Sequence, residues 1–460
     1  MSILAAFITP HPVTSIPEIG KGEEDIIYKT VASLERVGKR IAQLEPDTIV
    51  LISAHAESYS DYFQISDGDV AIGSLARFGG ANITFRNYYD RRFVKALCEM
   101  CEEEGFPAGI DSEVHHYLDH GTMIPLYFIN QQYRAYNLVR LGISGTSLHS
   151  HYRLGELIKK VSNKLGRKTV VVASGDLSHC LTHDAPYGFN EMGVKYDTRM
   201  IKSLETANFM DLFGFGEDLI DISKQCIHRA ACIMAGILDR QSIETKIYSY
   251  EKPQGVGLCV AEFVTGGMDA SRAFGDIYRS RQLMEVDRVK QNEDEYVKLA
   301  RQAIENYVKT STKLRIPSNI PSEMLGESKG VFVTIRQNGA LRGCLGSTKP
   351  IAKNLAQEII TNAMKAATED PRFDELNEED LPYIFISVDV IYDLIEVKSV
   401  TDLDPKIYGV VVEQGKRHAT LLPGLASVTT SEEQLALAKR KAGIPQNEKC
   451  RLYRFSVQHH

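Results

Sequence analysis

Short apolar runs alternate with longer stretches of helical periodicity in the first part of the chain. The runs ILAAFIT, TIVLISA and TVVVASG are nearly continuous in apolar residues, which predicts strands buried on both faces. Between them, IIYKTVASLERVGKRIAQL and LGELIKKVSNKLG carry apolar residues at the three-to-four-residue interval of an amphipathic helix. This alternation predicts an α/β domain, in which a sheet is flanked by helices.

A different pattern occupies the rest of the chain. KIYSYE and LCVAEFVTGG flank a Gly-rich turn at Pro253–Gly257 and predict a hairpin that closes the first domain. The helical pattern EYVKLARQAIENYVKT then precedes GVFVTIRQNGALRGCLG, in which Asn338-Gly339 is typical of a tight hairpin turn. A second helix, IAKNLAQEIITNAMKAATED, and the strands YIFISVDVIY, GVVVEQ and ATLLPG complete a smaller α+β unit. We therefore expect a domain at 1–268, a charged linker at 269–289 and a second domain at 290–460.

Composition narrows the class of protein. The 460 residues are 43 % hydrophobic and 25 % charged, which suits two globular domains. The net charge is −7 and the Lys and Arg residues are scattered, which argues against nucleic acid as a partner. No window of about 20 residues lacks charge, and the start MSILAAFITPHPV has no basic leader, so we expect a cytoplasmic protein without a membrane partner.

The eight cysteines are too sparse for a secreted disulfide scaffold, so most are expected to be free thiols. Cys98 and Cys101 form a CxxC pair, but they fall in the predicted amphipathic helix RRFVKALCEMCEEEG and have no second pair with which to bind zinc. Ordinary helix residues are the better interpretation.

Three histidines follow predicted strands. His11 comes after AAFIT, His55 after TIVLISA and His179 after TVVVASGDLS. In an α/β sheet, the carboxyl ends of neighbouring strands lie along one edge, so these side chains are expected in one cleft. Two neutral imidazoles leave positions on a metal ion for an anionic ligand and a substrate. A single histidine is more often an ordinary polar residue, but three at equivalent strand ends favour a metal site.

Four segments resemble the LigB-type class III extradiol ring-cleavage dioxygenases and the related Memo proteins: ITPHP, ISAHAES, LDHGTMIPL and SGDLSH. The resemblance spans nearly the whole N-terminal domain. It implies that His11 and His55 bind the metal, that His179 is the acid/base and that His120 lies beside bound oxygen. Asp176 matches the Memo form of the motif and would either orient His179 or cap a helix after the strand.

The third ligand departs from the dioxygenase pattern. A glutamate is expected there, whereas QCIHRAACIMAGIL supplies Cys226, as Memo proteins do. A thiolate suits iron, copper or zinc, so the metal stays open at this point. Glu57 and His228 are reserve ligands, and a solvated or supporting role fits each at least as well.

The C-terminal segments LRGCLGS, ATEDPRF, LLPG and KRKAGI resemble the AMMECR1 domain over about 290–460. Cys344 in the first of these is a candidate reactive thiol whose pKa Arg342 would lower, although a structural cysteine in a tight turn is the commoner case. Fusion to a LigB/Memo-like domain is typical of the AmmeMemoRadiSam group (system protein A type). That resemblance implies a radical S-adenosylmethionine protein as a partner.

Taken together, the resemblances imply a non-heme Fe(II)-dependent dioxygenase acting on a small catecholic aromatic compound, with zinc or copper as alternative metals. One alternative is a Memo-like metal-binding redox or scaffold protein without ring cleavage, which Cys226 favours. Another is a zinc hydrolase, since two histidines and a cysteine also suit catalytic zinc. A homodimer is expected by resemblance, and Phe78, Tyr89 and Asp90 would line the substrate pocket or serve in the core or a loop.

Overall fold

The computed structural model describes residues 2–110, 117–425 and 428–460. The chain divides into two compact units, Met1–Arg279 and Ser280–His460. Helix α9 (Phe274–Gln291) occupies most of the segment expected to be a linker. Within the described ranges, every helix is too short or too polar to cross a lipid bilayer.

The first unit is built around a six-stranded sheet with helices packed on both faces. Its strands are β1 (Ile3–Thr9), β2 (Thr48–Ser53), β3 (Phe63–Gln64), β4 (Val70–Leu75), β5 (Gly80–Tyr88), β6 (Ala108–Gly109), β7 (Asn137–Leu141), β8 (Thr169–Ser174), β9 (Gln241–Glu251) and β10 (Leu258–Met268). Its helices are α1 (Pro17–Gly20), α2 (Tyr28–Leu44), α3 (Arg91–Glu103), α4 (His120–Asn130), α5 (Leu148–Leu165), α6 (Glu191–Glu205), α7 (Glu217–Ile222) and α8 (His228–Ile237).

The order of the large sheet is β7-β2-β8-β1-β10-β9. Strands β7, β2, β8 and β1 run parallel, and β9 and β10 form the antiparallel hairpin that the sequence predicts at the sheet edge. Successive residues of β1 lie in different cores, because side chains alternate across a strand: Ala6 and Ile8 pack in one, and Ala5 and Phe7 in the other. The predicted α/β domain is confirmed.

The second unit is a smaller α+β unit around one antiparallel sheet, as predicted. Its strands are β11 (Val331–Gln337), β12 (Ala340–Ser347), β13 (Ile384–Val397), β14 (Gly409–Gln414), β15 (Arg417–Leu421) and β16 (Arg451–His459), in the order β12-β11-β13-β16-β14-β15. Its further helices are α10 (Glu295–Thr310), α11 (Ser322–Gly326), α12 (Leu355–Thr368) and α13 (Ser431–Ala442). Asn338 and Gly339 have φ values of 53° and 81°, so the hairpin turn forms where the sequence places it. Strand β16 and helix α13 were not predicted.

Candidate metal centre

The strands that carry the three histidines are neighbours in the sheet. Strand β8 pairs in parallel with β1 on one side and with β2 on the other, and the register sets Ser174 beside both Thr9 and Ser53. His11 and His55 each follow two residues after their strand ends, so both side chains lie at the same sheet edge. The sheet topology thus brings together residues that are far apart in the sequence.

Three donor side chains converge at this edge. His11 Nε2 lies 3.1 Å from His55 Nε2 and 3.6 Å from Cys226 Sγ, and all three ligand atoms lie within 4.8 Å of one another. Donor atoms sit roughly 2.0 to 2.3 Å from a bound transition-metal ion, so atoms that share one ion are roughly 3 to 4 Å apart. The two distances from His11 match this spacing, and the three side chains form a group that could hold one metal ion, which we call the metal centre.

Cys226 reaches the metal centre from the loop that precedes α8. Its backbone N–H donates to the Asp176 carbonyl oxygen at 3.1 Å, and the backbone N–H of Asp176 donates to Cys226 Sγ at 3.1 Å. Gly175, which directly precedes Asp176, has no room for a side chain, because a Cβ there would meet the backbone of Ile227. Burial, with a smaller effect from Asp176, raises the pKa of the Cys226 thiol, and a bound cation would favour its thiolate.

Asp176 lies between two histidines. Its Oδ2 is 3.7 Å from Nε2 of His11 and 3.7 Å from Nε2 of His179, and its Oδ1 accepts a hydrogen bond from the His11 backbone N–H at 3.0 Å. The interpretation of Asp176 as a helix cap is wrong, because a loop follows β8 and the next helix, α6, begins only at Glu191. His179 belongs to this loop, and its side chain lies beside Asp176 at the sheet edge.

His120 opens helix α4 beside the other imidazoles. Its ring centroid lies 4.3 Å from that of His55 and 5.1 Å from that of His11. Asp119 caps the helix by accepting from the Thr122 backbone N–H at 3.0 Å. Local capping chemistry therefore sets where His120 emerges.

The electrostatics favour neutral imidazoles. Burial, followed by the neighbouring His11, lowers the pKa of His55, and the same causes lower the pKa of His120 to about 4. Near pH 7 both rings then carry a lone pair, which is the form that binds a metal ion or accepts a proton.

Comparison with protein families agrees with this geometry. The family model described as the catalytic LigB subunit of aromatic ring-opening dioxygenase matches residues 5–261. The chain belongs to the LigB family. The AMMECR1 model matches residues 297–460, so both resemblances inferred from the motifs are confirmed.

Relatives of the LigB–AMMECR1 chain match either its whole length or one part of it. A Clostridium acetobutylicum protein is 35% identical over 468 residues, which covers 100% of this chain and 99% of that one. A Thermotoga maritima protein is 43% identical over 168 residues, 36% of this chain and 97% of its own. The names of these two proteins state no activity.

Two solved structures also align with parts of the chain. An uncharacterized protein of Pyrococcus horikoshii covers 36% of this chain and 91% of its own at 30% identity and a TM-score of 0.34. An uncharacterized protein of Escherichia coli K12 covers 57% and 99% at 15% identity and a TM-score of 0.40. The names of both structures state no activity.

The reserve ligands of the LigB domain lie outside the metal centre. Both ring nitrogens of His228 are bonded elsewhere, Nδ1 at 3.1 Å from the Tyr196 hydroxyl and Nε2 at 3.0 Å from the Leu212 carbonyl oxygen. That buried histidine is structural. Glu57 accepts a hydrogen bond from the Tyr59 hydroxyl at 3.2 Å and is not among the three clustered donors.

Only one of the three candidate pocket residues, Phe78, Tyr89 and Asp90, lies near the metal centre. The Phe78 ring lies 5.7 Å from His120, so Phe78 is near the metal centre. Tyr89 packs in the core against the sheet, and Asp90 is buried, caps α3 and accepts from the Thr48 hydroxyl at 2.7 Å. Of the two roles expected for Tyr89 and Asp90, the structure supports the one within the core and its loops, and not the one in the pocket.

Two residues that contact side chains of the metal centre or their neighbours were not predicted from the sequence. Ser174 Oγ lies 3.1 Å from His11 Nδ1, and Arg140 pairs with Asp119 at 3.0 Å. Ser174 stands inside the SGDLSH motif, so its position at a strand end was a usable signal. Arg140 lies within an apolar strand, where a charged residue indicates a buried partner.

Cys344 lies in strand β12 rather than in a tight turn. Its Sγ accepts a hydrogen bond from the Thr334 hydroxyl at 3.3 Å. Arg342 does not serve the thiol as predicted, because its guanidinium bonds the Asp374 carbonyl oxygen at 2.6 Å and Asp380 at 3.4 Å. The glycines of this motif serve packing: a Cβ at Gly343 would meet the α12 backbone.

Proposed function

We propose that the LigB domain is a non-heme Fe(II)-dependent dioxygenase whose substrate is a small catecholic aromatic compound. The observation that carries this proposal is the convergence of His11, His55 and Cys226 within 4.8 Å, with two further histidines beside them. Ferrous iron held by these three side chains would supply the redox centre for the reaction of a catechol with dioxygen.

His179 is suited to moving a proton. Its Nε2 lies 3.7 Å from the Asp176 carboxylate, which would stabilise the imidazolium formed when that ring takes a proton from a substrate hydroxyl. His179 Nδ1 is buried and bonds no other described residue. Nδ1 therefore has hydrogen-bonding capacity that the described residues leave unused.

His120 is suited to holding an anionic group. Its lowered pKa keeps the ring neutral near pH 7, so that one ring nitrogen donates a hydrogen bond while the other accepts. Nδ1 of His120 is likewise buried without a partner among the described residues. A donor at this position would stabilise negative charge that develops during the reaction.

The presence of Cys226 in place of a carboxylate favours a second candidate function. A thiolate is a softer ligand than a carboxylate and suits copper or zinc as well as iron. In this alternative the domain is a Memo-like metal-binding redox or scaffold protein of the AmmeMemoRadiSam system, and it cleaves no ring. A radical S-adenosylmethionine protein and a second copy of the chain remain the proposed partners.

Elemental analysis of anaerobically purified full-length protein tests the metal centre. We expect one iron per chain in the wild type and its loss in His55→Ala and Cys226→Ala. Cys232→Ala is the matched control, because Cys232 is buried in α8 outside the cluster. Metal that survives in His55→Ala would refute the site, and zinc in its place would favour hydrolytic chemistry.

Oxygen uptake with a panel of catechols then separates the two functions. A dioxygenase consumes one O2 per catechol and gives a ring-opened product that absorbs visible or near-ultraviolet light. Full iron occupancy without uptake on any catechol would favour the redox or scaffold function.

A further inference from the structure

The AMMECR1 unit contains a cavity of about 740 Å³ that the metal centre does not explain. It lies between β12, the loop that follows α12 and the β14–β15 hairpin. Its lining includes Cys344, Lys349, Asp370, Arg372, His418 and Lys441. We call it the AMMECR1 cavity; its volume is in the range of small-molecule sites.

Arg372 is held rigidly at the wall of this cavity. Its Nε donates to Asp370 Oδ1 at 2.9 Å, and its Nη2 donates to Asp370 Oδ2 at 2.7 Å and to the Cys344 carbonyl oxygen at 3.3 Å. Asp370 also accepts from the Cys344 backbone N–H at 2.8 Å. The guanidinium is thereby fixed beside Cys344, and Nη1 makes no hydrogen bond with the described residues. A positioned guanidinium is well suited to bind carboxylate or phosphate.

Two lysines add positive charge to the lining of the cavity. Lys441 Nζ donates to the Thr420 carbonyl oxygen at 3.2 Å, and in the described ranges neither Lys441 nor Lys349 forms an ion pair with a carboxylate. The acidic residues of the lining are already engaged, Asp370 by Arg372 and Glu413 by the Tyr453 hydroxyl. The two lysine ammonium groups and Arg372 Nη1 therefore keep hydrogen-bond donors for an anion.

Much of the remaining lining is apolar. Phe332, Leu345, Ile351, Leu422 and Leu425 share the cavity with the charged groups. Ile351 is 83% exposed and contributes an aliphatic side chain to the lining beside the cations. Such a cavity suits a molecule with one anionic end and one apolar end.

We propose that the AMMECR1 cavity binds a small organic anion, with its carboxylate or phosphate among Lys349, Arg372 and Lys441 and its apolar part beside the Cys344 thiol. This site is independent of the metal centre and of the reaction proposed for the LigB domain. In this site Arg372 lies beside Cys344, a contact that the LRGCLGS motif alone does not predict.

The test compares two alkylating reagents that differ in charge. Full-length protein is treated with iodoacetate or iodoacetamide at constant ionic strength, and peptide mass spectrometry follows Cys344 together with Cys450, a half-buried cysteine outside the cavity lining. In each reaction the thiolate sulfur forms a bond to carbon, iodide leaves and the thiol proton goes to buffer. We expect the iodoacetate-to-iodoacetamide rate ratio to be at least tenfold higher at Cys344 than at Cys450.

Variants and competitors identify the cause of that preference. Lys349→Gln and Lys441→Gln should each lower the ratio at Cys344 several-fold, whereas Lys353→Gln, outside the lining, should leave it unchanged. Protection of Cys344 by inorganic phosphate or by benzoate would show which anionic group is preferred. Equal ratios at the two cysteines, or no alkylation of Cys344 by either reagent, would overturn the proposal.

Discussion

The Ser174 hydroxyl links His11 to the backbone of Gly121. Ser174 Oγ donates to the Gly121 carbonyl oxygen at 2.5 Å and lies 3.1 Å from His11 Nδ1. A hydroxyl has one proton, which Ser174 uses in its hydrogen bond to the Gly121 carbonyl oxygen. His11 must therefore donate from Nδ1 to Ser174 Oγ. The Nε2 lone pair of His11 is then left for the metal ion.

Replacement of Ser174 tests this arrangement. We expect Ser174→Ala to weaken metal affinity about 10- to 100-fold, since His11 loses the partner that fixes its tautomer. Competition with a chelator of known affinity measures the effect. Ser162→Ala is the control: Ser162 is equally buried but bonds Thr169 away from the metal centre. An equal loss of affinity in both variants would show that only general stability had changed.

His179 is expected to affect turnover but not metal content. His179→Gln should keep one metal ion per chain and reduce kcat on a responsive catechol by about 10²- to 10⁴-fold, because the proton carrier is lost. Metal analysis and oxygen uptake on one preparation check both halves of the prediction. Metal loss equal to that of His55→Ala would instead make His179 a ligand.

The Asp119–Arg140 ion pair lies beneath the imidazoles and is almost fully buried. Burial alone would raise the pKa of Asp119, but Arg140 and the Ser53 and Thr122 hydroxyls outweigh it and lower the pKa to about 2. Arg140→Met would leave a buried, uncompensated carboxylate, and we expect it to cost about 3 to 5 kcal/mol in the free energy of unfolding.

Urea unfolding measures this cost, with Arg91→Met as the matched control. Arg91 pairs with Asp69 at 2.7 Å on the surface, where both side chains are largely exposed, and its loss should cost less than about 1 kcal/mol. In the wild type, the contribution of Asp119 is present above pH 4 and is lost as the pH falls towards about 2. Similar costs for the two variants would contradict the role assigned to Arg140.

Glu156 predicts a pH dependence of opposite sign. Burial, followed by the nearby Asp239, raises the pKa of Glu156 from 4.5 to about 7. The folded state then binds this proton more tightly than the unfolded chain does, so stability falls as the pH rises from about 4.5 to about 7. Glu156→Gln should remove this part of the loss, on the order of 2 kcal/mol. Thermal unfolding at pH 5 and pH 8 checks this prediction. The variant should be more stable than the wild type at pH 8 but not at pH 5.

A glycine contact joins helices α5 and α8. A Cβ at Gly155 would meet the Ile233 carbonyl oxygen, and a Cβ at Gly236 would meet the Tyr152 carbonyl oxygen. We expect Gly236→Ala to destabilise the protein by about 1 to 3 kcal/mol, because two packed backbones would have to separate. In Gly267→Ala a Cβ meets nothing within 4 Å, so its urea midpoint should match the wild type. A neutral Gly236→Ala would show that the helices shift without cost.

The parts of this protein that were predictable have local causes. Continuous apolar runs identify β1, β2 and β8 because a parallel strand is buried on both faces, and strand ends then place His11 and His55 together. Strand β16 was missed because RLYRFSVQH carries polar and charged residues at most positions. Helix α13 was missed because SEEQLALAKRKA is mostly polar and buries few side chains.

Other parts depend on contacts between distant segments. Cys226 was found through the family resemblance, since its place beside His11 depends on a loop that has no strand pattern. Arg372 approaches Cys344 only because the loop after α12 folds against β12, and no spacing in the sequence expresses that contact. The same holds for Ser174 at the end of β8, whose acceptor, Gly121, belongs to helix α4.

The place of β1 in the sheet also sets an order of assembly. β1 lies between β8, which begins at Thr169, and β10, which ends at Met268. During synthesis, β1 (residues 3–9) cannot pair with β8 or β10 until those strands have been made. Likewise, His11 cannot contact Cys226 until residue 226 has been synthesised. Non-local pairing of this kind slows folding. The nascent chain consequently carries His11 and His55 before Cys226 has been made, so the proposed metal centre can assemble only after residue 226 is synthesised.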